Sequence, residues 1–319
     1  MTEMRLRSRA APDAVAAQVG KVLGDIDHDV LLTGPARVLM PDGRPLCVYL
    51  PGHLSPVLER RPEVYEVLHS LRNLKTDNRG LASGTRRRPI VGQQRTRAKR
   101  IASAVIGSLE TAQRQTYCRL TAWTGDHLSE YEQLRHLLLP MSSALSEHVP
   151  DRFAAQALEV AKTHRDYVVP GTVFSTVTVN NTYPTGVHQD AGDLAAGFSA
   201  LAVLRRGDYA GGRLVFPEWR VAADLRDGDL ILMDAHQWHG NTAMSCPHGL
   251  KDDRMRQCCG AERISVVAYF RERMTGCRSL AEETRRAEAI AEKRNQFANN
   301  LTEADLHGAK GPSPQADRA

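Results

Sequence analysis

Three side chains suited to one metal ion, the neighbours His188 and Asp190 and the distant His239, each stand in strand-like text. This constrains the fold most, because the three meet only if their segments are brought side by side in a closed β-structure. Thr172–Asn180 is rich in β-branched residues and reads as a strand. A turn through Thr182, Pro184 and Gly186 then delivers His188. In an extended chain, residues two apart point the same way, so His188 and Asp190 reach one ion. The third ligand is a choice between His236 and His239, which follow the apolar run Asp229–Met233. Residues three apart on a strand face opposite sides, so the two do not serve equally. His239 is preferred, since Gly240 and Asn241 follow it and a backbone bend there lets an ion approach. His236 then packs beside the site.

Arg263–Phe270 reads as another strand, with Arg263, Ser265, Val267 and Tyr269 on one face by period two. Two imidazoles and a carboxylate form the ligand set of a non-haem Fe(II) oxygenase, which keeps coordination positions open for an organic co-substrate and O₂. A guanidinium donates two parallel hydrogen bonds to a carboxylate. Arg263, helped by Ser265, is therefore expected to hold the far end of that co-substrate.

These segments resemble the TET/JBP family of Fe(II)- and 2-oxoglutarate-dependent dioxygenases, which oxidise the 5-methyl group of pyrimidines in nucleic acids. The resemblance rests on Phe174–Asn181, His188–Asp193, Tyr209–Pro217, Asp229–Asn241 and Arg263–Glu272. It covers about residues 165–280, in the layout of the compact phage and bacterial members. It implies Fe(II) on His188, Asp190 and His239, 2-oxoglutarate held by the iron and by Arg263 and Ser265, and O₂ as oxidant. The partner it implies is DNA carrying a methylated pyrimidine, with the target base extruded from the stack. The family's base-contacting positions carry over onto Asp193 and Tyr269, and Arg271 follows on the same face, for base or phosphate. A carboxylate at Asp193 accepts from the exocyclic amine of cytosine and repels O4 of thymine. The expected reaction is hydroxylation of 5-methylcytosine to 5-hydroxymethylcytosine. Thymine hydroxylation and a prolyl or small-molecule hydroxylase stand as alternatives, and Asp193 also reads as a turn cap.

The order of elements predicts an α+β fold, a double-stranded β-helix (jelly-roll) core with flanking helices. Residues 1–164 supply a hairpin (Val30–Thr33 and Arg37–Met40, then Leu46–Leu50), a basic loop, and helices over Pro56–Leu74, Asp126–Glu147 and Asp151–His164. Residues 165–280 form the catalytic core, and 281–319 a C-terminal helix and disordered tail. The net charge of +5 names no partner. Its distribution says more: between Arg79 and Arg100 stand eight basic residues and no acidic one. Arg79, Arg86, Arg87, Arg88, Arg95 and Arg97 are expected to contact DNA phosphates. No apolar run is long enough to span a bilayer, and the basic start lacks the apolar stretch of a signal peptide, so a soluble, cytoplasmic protein is expected.

Six cysteines complete the reading. Cys47 and Cys118 stand in apolar surroundings and read as buried thiols, and an intracellular setting argues against disulfides. Cys246, Cys258, Cys259 and Cys277 lie in or near the polar insertion between His239 and Arg263. With His248 the first three could hold zinc, but there is no Cys-x-x-Cys pair. Reduced thiols in a mobile loop are the expectation.

Overall fold

The computed structural model describes residues 1–7, 9–75, 101–111, 116–251 and 253–299. The basic segment from Arg79 to Arg100 and the tail beyond residue 299 lie outside these residues. In chain order the strands are β1 (Thr2–Arg5), β2 (Val30–Leu32), β3 (Ala36–Leu39), β4 (Pro45–Leu50), β5 (Ser103–Leu109), β6 (Arg119–Leu120), β7 (Thr176–Asn181) and β8 (Ser199–Arg206). They continue with β9 (Ala210–Gly211), β10 (Leu214–Phe216), β11 (Val221–Ala223), β12 (Asp229–Met233), β13 (Gly240–Asn241), β14 (Met244–Ser245) and β15 (Glu262–Tyr269). The helices are α1 (Pro12–Ala16), α2 (Ser55–Arg60), α3 (Pro62–Ser70), α4 (Ala122–Asp126), α5 (Leu128–His148), α6 (Pro150–Ala161), α7 (Asp253–Cys259) and α8 (Leu280–Asn299).

A nine-stranded sheet in the order β1-β3-β4-β12-β8-β15-β7-β5-β6 faces a four-stranded sheet, β13-β10-β11-β2. This is the expected double-stranded β-helix. The central strands are buried on both faces, and alternation sorts their side chains. On β15, Ile264, Val266 and Ala268 pack outward with Leu68 and Leu71 and with Leu134, Leu137 and Met141 of α5. Val267 and Tyr269 point inward, with Leu201, Val203 and Ile231, onto Leu214, Phe216 and Val221 of the smaller sheet. Arg263 and Ser265 share that inward face, so both polar groups open into the jelly roll.

Several elements differ from the reading of the sequence. The strand expected from Thr172 starts at Thr176, because Thr172 closes a turn: its Oγ1 donates to Val169 O at 2.9 Å and accepts from Phe174 N at 3.1 Å. The helix expected over Pro56–Leu74 breaks at Arg61, since Pro62 has no N–H to continue the ladder and instead begins α3. The sequence did not single out β1 or β5. Yet β5 pairs along β7 from Ser103↔Asn180 to Gly107↔Thr176. The large sheet takes strands from both sides of residue 164.

Cys118 is not a free thiol: it is joined to Cys277, with Cα atoms 5.7 Å apart. Tyr167, Phe270 and Met274 cluster around the pair, and this apolar packing brings together two residues separated by 159 positions. Cys47 remains a buried thiol, whose pKa burial pushes up to about 12. Cys258 and Cys259 lie in the last turn of α7 rather than in a loop. Met255 of that helix is fully buried beside Tyr209, Met244 and Cys246. Among the described residues no helix is long and apolar enough to cross a membrane.

Phe216 is fully buried between the two sheets. Phe216→Ala is expected to lower stability by about 3–5 kcal/mol, read from urea unfolding with an unchanged m-value.

Candidate active site

The His188 segment and the segment ending in His239 approach as an isolated antiparallel bridge. His188 N–H donates to His239 O at 2.9 Å, and His239 N–H donates to His188 O at 3.0 Å. So close an approach excludes side chains: a Cβ on Gly240 would sit 3.0 Å from Val187 N. The two imidazoles end with ring centroids 4.4 Å apart. Asp190 completes the set, with Oδ1 3.4 Å from His188 Nε2 and Oδ2 3.9 Å from His239 Nε2. The three ligand atoms lie within 4.8 Å of one another.

The tautomers follow from the hydrogen bonds. His188 Nδ1 lies 2.8 Å from Gly186 O and His239 Nδ1 lies 2.9 Å from Gln237 O. A carbonyl only accepts, so each Nδ1 carries the proton and each Nε2 presents a lone pair inward. This is the arrangement that orients histidines toward a metal. The residues fit a divalent iron. His236 is not part of the triad. Its Nδ1 lies 3.4 Å from Asp234 Oδ1, and that hydrogen-bonding partner raises its pKa.

Arg263 is 3% exposed, and its Nε and Nη2 are buried without a hydrogen-bond partner among the described residues. Burial lowers its pKa, because the charged form is denied water. A buried guanidinium with unmet donors is costly until an anion reaches it. This orphaned pair of donors fits the far carboxylate of 2-oxoglutarate. Tyr209 Oη is also buried without a partner, and Tyr209 is among the groups acting electrostatically on Arg263. Gly212, at φ +72°, leaves the room: a Cβ there would lie 3.1 Å from Arg263 Cδ. Ser265 Oγ accepts from Asn180 Nδ2 at 3.5 Å, and Asn180 Oδ1 accepts from Ser103 Oγ at 2.6 Å. Sequence reasoning passed over Tyr209 and Asn180. A signal existed for Asn180, a polar residue in phase with Thr176 and Thr178 on an inward-facing strand.

Beside the triad lies a small pocket whose lining includes Asp193, Ser199, His236 and Tyr269. Asp190 N–H donates to Ala235 O at 3.0 Å, tying the Asp190 backbone to this pocket's wall. Asp193 is buried, and one oxygen accepts from Ser199 Oγ at 3.3 Å. Tyr269 Oη lies 3.2 Å from Thr178 Oγ1. Arg271 is committed elsewhere: its guanidinium pairs with Glu110, with Nη2 2.6 Å from Oε1, and this hydrogen-bonded partner keeps its pKa raised despite burial. Of the expected base contacts, the fold therefore brings Asp193 and Tyr269 to the pocket and directs Arg271 to Glu110.

Arg263→Lys loses the forked donor while keeping the charge. It is expected to weaken 2-oxoglutarate binding about 10–150-fold, the equivalent of one charged hydrogen bond of about 1.5–3 kcal/mol, with Fe(II) uptake unchanged in calorimetric titration. Asp190→Asn is expected to lose the iron itself.

The TET/JBP family model, described as the oxygenase domain of the 2OGFeDO superfamily, matches residues 109–272. Thymine dioxygenase JBP1 of Trypanosoma brucei brucei is 30% identical over 199 residues, which cover 62% of this chain and 22% of its own length. The bifunctional helicase and thymine dioxygenase JBP2 of the same organism is 28% identical over 317 residues, covering 95% of this chain and 26% of its own. The chain thus spans about a quarter of the length of these curated relatives. Among solved structures, NgTET1 in complex with 5mC DNA covers 77% of this chain and 79% of that one, at TM-score 0.48 and 13% identity. The family match spans just over half of the sequence, and the chain belongs to the TET/JBP family of the 2-oxoglutarate- and Fe(II)-dependent oxygenases, whose cofactors its His188, Asp190, His239 and Arg263 fit.

Proposed function

We propose that the protein hydroxylates the 5-methyl group of 5-methylcytosine in DNA, yielding 5-hydroxymethylcytosine. The observation that carries an oxidative reading is the pairing of the Nε2-inward triad with the orphaned Arg263 guanidinium. Fe(II) on His188, Asp190 and His239, with 2-oxoglutarate and O₂, supplies the oxidising power for a C–H bond. This chain's own residues bind, orient and exclude water. Arg263 sets the long axis of the co-substrate through its far carboxylate.

Asp193 supports cytosine over thymine. It acts electrostatically on Arg271 and His236, and a carboxylate accepts from the N4 amine of cytosine but opposes O4 of thymine. His236 lines the same pocket and can donate to N3 or O2 of the ring. As it stands the pocket has a free volume of about 10 Å³, about one water. A base enters by displacing His236, whose side chain is 35% exposed on the turn after β12. The arginines at 79, 86, 87, 88, 95 and 97 would then hold phosphates flanking the extruded base. A second reading, thymine hydroxylation, is favoured by the relatives, which are named thymine dioxygenases.

The test is incubation with Fe(II), 2-oxoglutarate and ascorbate on two duplexes, one bearing 5-methylcytosine and one with thymine as its only methylated base. A base heavier by one oxygen is expected from methylcytosine, absent with His188→Ala. Asp193→Ala is expected to slow it about 5–150-fold, for a contact worth about 1–3 kcal/mol, with iron content intact. Oxidised thymine with untouched methylcytosine would establish the second reading. Succinate release without an oxidised base in either duplex would sink both.

A further inference from the structure

A second group of metal-type ligands lies outside the active site, in the insertion between β13 and β15. Cys246 follows β14, His248 is two residues on, and Cys258 and Cys259 end α7. Their four ligand atoms lie within 4.8 Å of one another. His248 Nδ1 is 3.2 Å from Cys259 Sγ and 3.4 Å from Cys258 Sγ. In a tetrahedral zinc site, with Zn–S about 2.3 Å and Zn–N about 2.0 Å, neighbouring ligand atoms stand about 3.5–3.8 Å apart.

The backbone around Cys246 is shaped in the same sense. Its N–H donates to Leu250 O at 3.0 Å and its carbonyl accepts from Gly249 N at 2.8 Å, closing a tight loop. The backbone N–H groups of His248 and Leu250 both point at its sulfur. Such N–H donors stabilise a thiolate and orient it. Cys246, Cys258 and Cys259 are all free thiols, while the disulfide-bonded Cys118 and Cys277 lie in a separate cluster.

We propose that Cys246, His248, Cys258 and Cys259 bind one structural zinc ion. Three thiolates and an imidazole with no open position are a closed, soft ligand set, the kind that selects zinc and holds it without catalysis. The cation joins the loop after β14 to the C-terminus of α7. It thereby pins a small apolar cluster, Tyr209, Met244, Met255 and Ala261. Met244 pairs with Gly211 and packs on Gly212, whose other neighbour is Arg263. The zinc clasp thus fixes the wall behind the co-substrate's far carboxylate.

The experiment is metal analysis of the full-length protein, purified without chelator and carrying Asp190→Asn so that the iron site does not contribute. One zinc per chain is expected, falling to below a tenth in Cys259→Ser and unchanged in Cys47→Ser. Cobalt(II) exchanged into the parent protein is expected to give the intense visible bands and thiolate charge-transfer absorption of a tetrahedral sulfur-rich site. That measurement stands even if Cys259→Ser fails to fold. No zinc in the parent, or zinc retained in full by folded Cys259→Ser, overturns the proposal. So does a disulfide among Cys246, Cys258 and Cys259, seen as a loss of two further mass units beyond that of Cys118–Cys277 and as failure of these cysteines to alkylate, mapped on peptides.

Discussion

The rest of the site depends on one backbone contact, the reciprocal pair of hydrogen bonds between His188 and His239. Each donates its N–H to the other's carbonyl, at 2.9 and 3.0 Å. With the two backbones locked at that spacing, the imidazoles need only their Nδ1 bonds to Gly186 O and Gln237 O to turn both Nε2 atoms inward. The geometry thus comes from main-chain register, which is stiff, rather than from side-chain contacts, which are not. Gly240 is part of that constraint because any Cβ would press on Val187 N. Thr182 extends it to the third strand: at φ +49°, a strained value for a β-branched residue, its N–H donates to Arg263 O at 2.7 Å.

Arg263 is the opposite case, a group the fold leaves unsatisfied. Among the described residues its buried Nε and Nη2 make no hydrogen bond to offset the cost of burial. The surrounding sheet is packed on both faces, and this core holds an unsatisfied polar group in place. Low polarity around the guanidinium also makes its attraction for a carboxylate stronger than it would be in water. The insertion carrying Met244 and α7 reaches this enclosure, since Met244 and Arg263 both lie against Gly212.

Much of the active centre was legible because its rules are local. Period two put His188 with Asp190, and put Arg263 and Ser265 on the face of Val267 and Tyr269, which the packing bears out. Alternation said only that His236 and His239 do not serve equally, and the Gly240-Asn241 bend after His239 set their order. What was not legible needed partners distant in sequence. Arg271 looks free along its own strand, yet it meets Glu110 from the end of β5. Cys118 reads as a buried thiol until the apolar cluster around Tyr167 sets Cys277 against it. Cys246 and His248 carry no familiar spacing with Cys258 and Cys259, because a loop and a helix of intervening chain bring them together.

The sequence by itself set out the candidate chemistry: two imidazoles and one carboxylate beside strand-forming runs, and one inward arginine on a strand. Those are properties of side-chain type and local periodicity, and they are present in the unfolded chain. The tertiary structure alone decided the pairings. It chose which nitrogen of each histidine faces inward, that Arg263 keeps two donors unmet while Arg271 does not, and that four residues of the insertion converge. Each depends on loop closure over long stretches of chain, where strand register and burial select among contacts that the linear order leaves open.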